Sequence, residues 1–383
     1  MKAFVELPFI DTLHSNLSVS PQFIQVILGP RQVGKTTSID HYLRTRFGGH
    51  YHSVSADKML STGYDWLLEN WQTARAMKSL LVIDEIQKIE NWSEIVKKLW
   101  DEEKKRAHPI QCVLLGSSSL DIQRGLTESL TGRFQLIRAH HWNASESLKG
   151  YGVDFEAFLE VGGYPGSYDL NNNRDQWAEY VQKSIVETVI EKDILSNHTV
   201  KSPALFRQAF ELLMSYPAQE ISYTKLLGQL QDRGNTELVK NYIRLYEGAF
   251  LVKALEKYST SKIKVRSSSP KILPLCPAFY HLGLRAPYDK SERGRAFEVA
   301  VGAQLVRTGQ ELYSWREGNH EVDFVLRSGK KIWGIEVKSG RKKNVNGLVE
   351  FRRAFPQAMA VVIHPENYSD FENNPMEYLK SVV

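Results

Sequence analysis

Short apolar runs punctuate the first third of the chain: 23–28 ("FIQVIL"), 80–83 ("LLVI") and the run inside "IQCVLLG". Each has the length of a strand, is bounded by turn-forming or charged residues, and is continuous rather than alternating. A helix-period pattern begins at 37, directly after the first run, so the expected class here is α/β. From 155 to about 214 apolar positions recur at three- and four-residue spacing and predict helices, with "NNNRDQ" (171–176) marking a loop and a helix start. Farther on, Ser222 is placed to cap a helix running to Leu230, "QDRGN" to turn the chain, and Thr236 to cap a second helix running to Tyr246. Two short helices followed by the β-like runs "FLVKAL" and "KIKV" predict a winged helix. In the last third "RGRAFEVAVGAQLVRTG" reads as an amphipathic helix, and "EVDFVL" and "KIWGIEV" as two strands joined by the hairpin signal "RSGK".

Length and composition narrow this picture. At 383 residues two or three domains are expected, and 42% hydrophobic with 24% charged residues describes a soluble globular protein. No apolar run approaches the ~20 residues of a membrane span, and the first residues lack a signal-peptide pattern, which predicts a cytoplasmic protein with no membrane partner. Cys112 and Cys276 each lie in an apolar stretch and are expected as buried thiols. The net charge of +5 permits nucleic-acid binding, and "KIKVRSSSPK" and "SGRKK" concentrate positive charge in the C-terminal half.

The clearest chemistry lies between the first strand and the first helix. Gly29-Pro30-Arg31-Gln32-Val33-Gly34-Lys35-Thr36 fits G-x-x-x-x-G-K-[ST], followed by Thr37. The glycines let backbone N–H groups curl around phosphate, and the helix N-terminus adds its positive end. Lys35 is expected on the β- and γ-phosphates and the Thr36 hydroxyl on Mg²⁺. The 80–83 run ends in Asp84-Glu85, where a parallel strand presents side chains to a ligand. Asp84 is expected to hold Mg²⁺ and Glu85 to polarise the attacking water. Ser117, after the third strand, is a candidate γ-phosphate sensor or equally a helix cap. Arg133, in "LTGRF", is a candidate arginine finger, in cis or across an oligomer interface, or equally a surface ion pair.

"GPRQVGKTT", "IDEIQKIENW", "LLGSSSL" and "LTGRF" together resemble AAA-type P-loop ATPases, and more narrowly a bacterial and archaeal family whose C-terminal part is a domain of unknown function. "GGYP"- and "EKDI"-like stretches are implied by that resemblance and stand here at 162–165 and 191–194. Two departures are visible. "RAHHWNASES" replaces a Pro-Leu-Ser-like stretch, and Cys276 stands where the family often has an acid.

Glu336-x-Lys338 is cheap as a pattern, since Glu102/Lys104 and Glu103/Lys105 match it inside "DEEKKR". Its setting is not. Glu336 interrupts an apolar β-run, strand alternation puts it on one face with Lys338, and hairpin pairing brings Asp323 toward both. Glu298 sits upstream on the amphipathic helix. The order helix acid, hairpin acid, E-x-K resembles restriction-endonuclease-like folds. Glu298, Asp323 and Glu336 are then expected to hold Mg²⁺ or Mn²⁺, with Lys338 orienting water, and Glu321 and Gln304 are weaker candidates. A cluster that survives only as a buried polar core is the alternative.

The resulting expectation is three modules. Residues 1–145 form an AAA-type P-loop ATPase domain, 146–270 a helical linker and winged helix, and 271–383 a restriction-endonuclease-like α/β domain. The function expected is ATP binding and hydrolysis by a protein acting on DNA, with a Mg²⁺-dependent nuclease, in defence or DNA repair. Lys240, Arg244 and Lys264 are the expected nucleic-acid contacts. The alternative is a nucleotide-driven switch or DNA-binding scaffold whose nuclease-like domain does not cut. AAA-type cores are compatible with a homo-oligomer, although no stretch marks an interface.

Overall fold

The computed structural model describes residues 4–59, 63–116, 119–230, 235–259, 268–283, 289–340 and 345–382. The chain divides into two compact units. One comprises Phe4–His141 together with Thr188–His198, and the other Trp142–Glu187 and Thr199–Val383.

The first unit is built on a five-stranded sheet of β1 (Ile24–Leu28), β2 (Tyr51–Ser55), β3 (Leu80–Asp84), β4 (Cys112–Gly116) and β5 (Phe134–Arg138), in the order β2-β3-β4-β1-β5. Every pairing is parallel. β1 and β4 are buried at all positions, as strands covered on both faces must be, and the one polar side chain among them, Gln25, donates to the Phe23 carbonyl. Because all strands point the same way, the loops after β1, β3 and β4 gather at one edge. This α/β architecture with a parallel sheet is the one typical of P-loop NTPases. Gly29 is required at the start of the loop after β1: a methyl there would stand 2.6 Å from the Ala139 carbonyl oxygen.

The second unit opens with helices Ala144–Tyr151 and Phe155–Val161. Its middle contains helices Pro203–Met214, Tyr223–Gln229 and Thr236–Gly248 beside an antiparallel sheet of β6 (Gln219–Glu220), β7 (Val252–Leu255) and β8 (Lys271–Pro274), with β8 central. Ser222 caps its helix as expected. The following helix is capped one residue earlier than expected: Asn235 is extended and accepts from the Leu238 amide at 3.3 Å, while Thr236 is already helical. "KIKV" lies outside the described residues.

The remaining sheet has β9 (Glu311–Glu317), β10 (His320–Ser328), β11 (Lys331–Val337) and β12 (Met359–Ile363), in the order β12-β11-β10-β9. β10 and β11 form the expected hairpin, with Ser328 opposite Lys331, and β12 adds in parallel to β11. Helix Lys290–Arg307 packs on β8, β10 and β11. Helix Asn346–Ala354 covers a core of Trp315, Val322, Val325, Ile332, Leu348, Phe351, Phe355 and Ala358. Cys112 and Cys276 are both free and buried, as expected. The Cys276 thiol accepts from the Gly163 amide at 3.1 Å, and burial pushes its pKa up to about 12.

Two glycines separate packing from backbone freedom. A Cβ at Gly347 would overlap the Glu321 carbonyl oxygen, whereas one at Gly228, within a helix, meets nothing within 4 Å. Gly347→Ala is therefore expected to lower stability by about 1–3 kcal/mol. Gly228→Ala should raise it by about 0.5–1 kcal/mol. Thermal or urea unfolding of the two variants checks the opposite signs.

Candidate functional sites

The loop 29–34 runs from the buried end of β1 into helix Lys35–Thr45, and two of its residues have left-handed backbone, Gln32 (φ 57°) and Gly34 (φ 87°). Gly34 tolerates this without a side-chain clash; Gln32 stores strain of the kind found in phosphate-binding loops. Val33 is fully buried and anchors the loop. Lys35 is also buried, and its ammonium donates to the Gly29 and Pro30 carbonyls at 2.9 and 2.6 Å. Burial lowers its pKa to about 8, against the opposing fields of Glu85 and Asp84. Thr36 Oγ1 donates to Asp84 Oδ2 at 2.7 Å, so hydroxyl and strand-end carboxylate adjoin. Such an oxygen pair beside a phosphate loop fits Mg²⁺. Thr36 and Thr37 are both exposed. Glu85 is left-handed (φ 54°), with its amide on Asp84 Oδ1 at 2.9 Å and its carboxylate held by Gln87 Nε2 at 2.5 Å.

Arg31 reaches across the sequence to Asp193 of "EKDI". Nε–Oδ2 is 2.7 Å and Nη2–Oδ1 is 2.5 Å, a fork that ties the phosphate loop to the turns Val189–Leu195. Burial opposes the Arg31 charge, but Asp193, with Glu85 and Asp57 adding, raises its pKa. The pair joins residues 162 apart, and no local pattern in "EKDI" marks Asp193 as the partner of Arg31. Ser117 lies outside the described residues. Arg133 forms a bidentate pair with Asp101 (2.7 and 2.9 Å) on helix Trp92–Glu103. It precedes β5, and its carbonyl receives the Ile24 amide where β1 begins. In a parallel sheet that is the end opposite the phosphate loop, about 15 Å away along five residues. The expected cis arginine finger is therefore not formed in this chain.

In the second unit the hairpin brings Asp323 to Glu336 and Lys338. The Asp323 Oδ2 accepts from the Val337 amide at 2.7 Å, and Lys338 donates to Glu336 Oε1. Glu336 is 6% exposed, and its Oε2 has no hydrogen-bond partner. An unforeseen residue completes the cluster. Lys271, on β8, is buried and donates to Glu298 Oε1 at 2.5 Å and to the Asp323 carbonyl at 3.0 Å. Its ammonium lies 3.8 Å from Asp323 Oδ1 and 4.7 Å from the centre of the Phe324 ring. Burial opposes the Lys271 charge, but Glu298 and Asp323 outweigh it and raise the pKa. The Glu298 carboxyl is pushed up to about 7 by burial, with Lys271 opposing and Asp323 adding. Glu336 is pushed up to about 7 by burial and Asp323, against Lys338. Among the described residues no group of three or more His, Cys, Asp or Glu side chains is arranged to hold a metal ion. As they stand, Glu298, Asp323 and Glu336 thus do not fit a shared Mg²⁺ or Mn²⁺, and Lys271 contacts both Glu298 and Asp323. Glu321 is exposed and faces Arg316, and Gln304 bonds the Glu372 carbonyl, so neither weaker candidate joins the cluster.

Of the expected nucleic-acid contacts, Lys264 lies outside the described residues. Lys240 pairs with Glu237 at 2.6 Å, and Arg244 is exposed. Both border a cavity of about 650 Å³ that also carries Lys253, Glu247, Glu256 and Glu311. Its charge is mixed rather than uniformly basic.

Comparison with known proteins finds three matching stretches along the chain. Residues 22–148 match an AAA domain. Residues 152–284 and 293–379 match two domains of unknown function, DUF8612 and DUF4143. The chain thus combines an AAA-type P-loop ATPase domain with two domains of unknown function. It is 23% identical over 337 residues to an uncharacterized protein of Methanocaldococcus jannaschii, covering 81% of this chain and 73% of that protein. An uncharacterized protein of Mycobacterium tuberculosis is 25% identical, with 82% and 70% covered, and one of Haemophilus influenzae 22% identical, with 82% of each covered. A solved structure of a mutant RuvB of Thermotoga maritima aligns over 72% of this chain and 95% of that one, at 15% identity and a TM-score of 0.33, too low to carry an argument. Among the described residues no helix is long and apolar enough to cross a membrane.

The Arg31–Asp193 fork yields an asymmetric prediction. The Asp193 side chain is 5% exposed and that of Arg31 24%. Arg31→Ala strands a buried carboxylate and should cost about 3–5 kcal/mol. Asp193→Ala leaves a guanidinium able to reach water and should cost less. Urea unfolding of both, with the double variant to obtain the coupling, checks this order.

Proposed function

We propose that this chain is a nucleotide-driven ATPase that acts on DNA, and that its last third is an endonuclease-like domain that binds without cutting. The observation that carries the ATPase part is the convergence of Lys35, Thr36, Asp84 and Glu85 at one edge of the parallel sheet. In this reading the amides of 29–36 and the Lys35 ammonium bind the β- and γ-phosphates, and Thr36 and Asp84 hold Mg²⁺, which supplies charge neutralisation when bound. Glu85 accepts a proton from the attacking water. Arg31, braced by Asp193, keeps the loop open for phosphate.

The DNA part rests on element order. Three helices and a small antiparallel sheet, with β8 returning beside β7, follow a winged-helix succession, and Lys240 and Arg244 lie on the third of these helices. The helix, hairpin and parallel strand around Glu298, Asp323 and Glu336 support an endonuclease-like fold. The modules 1–145, 146–270 and 271–383 carry these roles, and a switch of this kind suits defence or DNA repair. Lys271 favours the non-cutting version. A cutting version, with Asp323 and Glu336 on a metal and Lys338 on water, has in its favour the unpartnered Oε2 of Glu336 and requires Lys271 to leave.

ATP hydrolysis should vanish in Lys35→Ala, and Glu85→Gln should lower kcat by roughly 10²–10⁴-fold with KM nearly kept. Full activity in both variants would overturn the assignment. DNA affinity should fall with salt, and Lys240→Ala and Arg244→Ala should each reduce the log–log slope by about 1. A flat salt dependence contradicts phosphate contact.

A further inference from the structure

Three carboxylates meet in the second unit without a shared metal geometry, and a charge from outside the 293–379 stretch meets them. Lys271 belongs to β8, where it pairs with Leu255 of β7 and Glu220 of β6. Its side chain is 8% exposed and ends between the Glu298 carboxylate (2.5 Å) and Asp323, touching the latter at both its carbonyl (3.0 Å) and Oδ1 (3.8 Å). Lys338 covers only one oxygen of Glu336. The other, Oε2, belongs to a side chain more than nine-tenths buried and is bonded to nothing. An unmet buried carboxylate oxygen is costly, and a cation is the partner such an atom takes.

We propose that Lys271 is the resident cation of this cluster: its ammonium stands where a hard divalent metal would bridge Glu298 and Asp323, and it closes the site to Mg²⁺ or Mn²⁺ while β8 stays paired. Several features follow from that occupancy. An ammonium brings one charge and three donors to a group of carboxylates, so it holds Glu298 and Asp323 together but leaves Glu336 Oε2 unserved. A divalent ion would bring twice the charge and up to six or more oxygen sites. The block is supplied by β8, a strand of another sheet, rather than by the carboxylates' own hairpin, so metal entry is tied to β8 and not to the hairpin. The inference rests on the cluster alone and is independent of whether the first unit hydrolyses ATP.

Mn²⁺ binding, read by the loss of the free-ion electron paramagnetic resonance signal, tests it. The full chain is used without nucleotide and with Asp84→Asn, so that the first site contributes nothing. Lys271 intact is expected to give no saturable site. Lys271→Met should acquire one site per chain, Glu336→Gln added to it should abolish that site, and Lys271→Arg should remain closed. Should Lys271→Met fail to fold, Lys271→Gln removes the charge but keeps an N–H donor for Glu298. It should fold, by circular dichroism, and acquire the same Mn²⁺ site. Saturable binding with Lys271 intact that Glu336→Gln abolishes overturns the proposal. So does a folded Lys271→Met, or a folded Lys271→Gln, that binds none.

Discussion

A lysine ammonium removed from water must be met by oxygen, and both candidate sites are organised by that requirement. Lys35 has no room to solvate itself, so the phosphate loop turns the Gly29 and Pro30 carbonyls onto it and β3 supplies Asp84 and Glu85 nearby. Lys271 is equally buried, and the oxygens that meet it come from a helix (Glu298) and a hairpin (Asp323). In the first site the satisfaction is provisional: carbonyls of the loop's own backbone are weak partners for a charge, and phosphate is a better one. In the second it is nearly complete, with carboxyl groups on two sides. The same physical demand therefore leaves one lysine poised for an anion and the other committed to its carboxylates.

The contrast explains how much was legible in the sequence. The phosphate loop is local: eight consecutive residues, a strand before and a helix after, so pattern alone locates Lys35 and Thr36. The Asp84-Glu85 pair follows because a parallel sheet aligns the ends of β1 and β3. The hairpin was equally readable, since its turn and its alternation bring Asp323 to Glu336 across a short connection. What escaped is what closes over long separations. Asp193 lies 162 residues from Arg31, and Lys271 lies 52 from Asp323 on a strand of another sheet. A signal existed for the second. Lys271 opens the apolar run "KILPL", and a charge inside a β-run is the same feature that singled out Glu336. Arg133 shows the reverse error: a motif position without a partner in view was open to a catalytic role, and direction within the sheet removes it from its own chain's phosphate loop.

Strain and burial mark the two sites differently. Around the glycine-rich loop, Gln32, Gly34 and Glu85 all take left-handed backbone, which a rigid sheet and the Arg31–Asp193 fork sustain. Around Glu336 the backbone is regular strand, and the unusual feature is electrostatic: burial raises the Glu298 and Glu336 carboxyls to about 7 beside two ammonium groups. A site built from strained loops is arranged for exchange of ligand. One built from regular strands and internal ion pairs is arranged to hold still, which fits a domain that binds or transmits rather than cuts.

The central claim is that Lys35, Thr36 and Asp84 form one nucleotide–metal site. Calorimetric titration of the full chain with a non-hydrolysable ATP analogue, in Mg²⁺ and again in EDTA, tests it most directly. Binding should be strengthened by Mg²⁺ in the wild type, and that Mg²⁺ effect should disappear in Asp84→Asn. Binding indifferent to Mg²⁺, or a Mg²⁺ effect undiminished by Asp84→Asn, would contradict it.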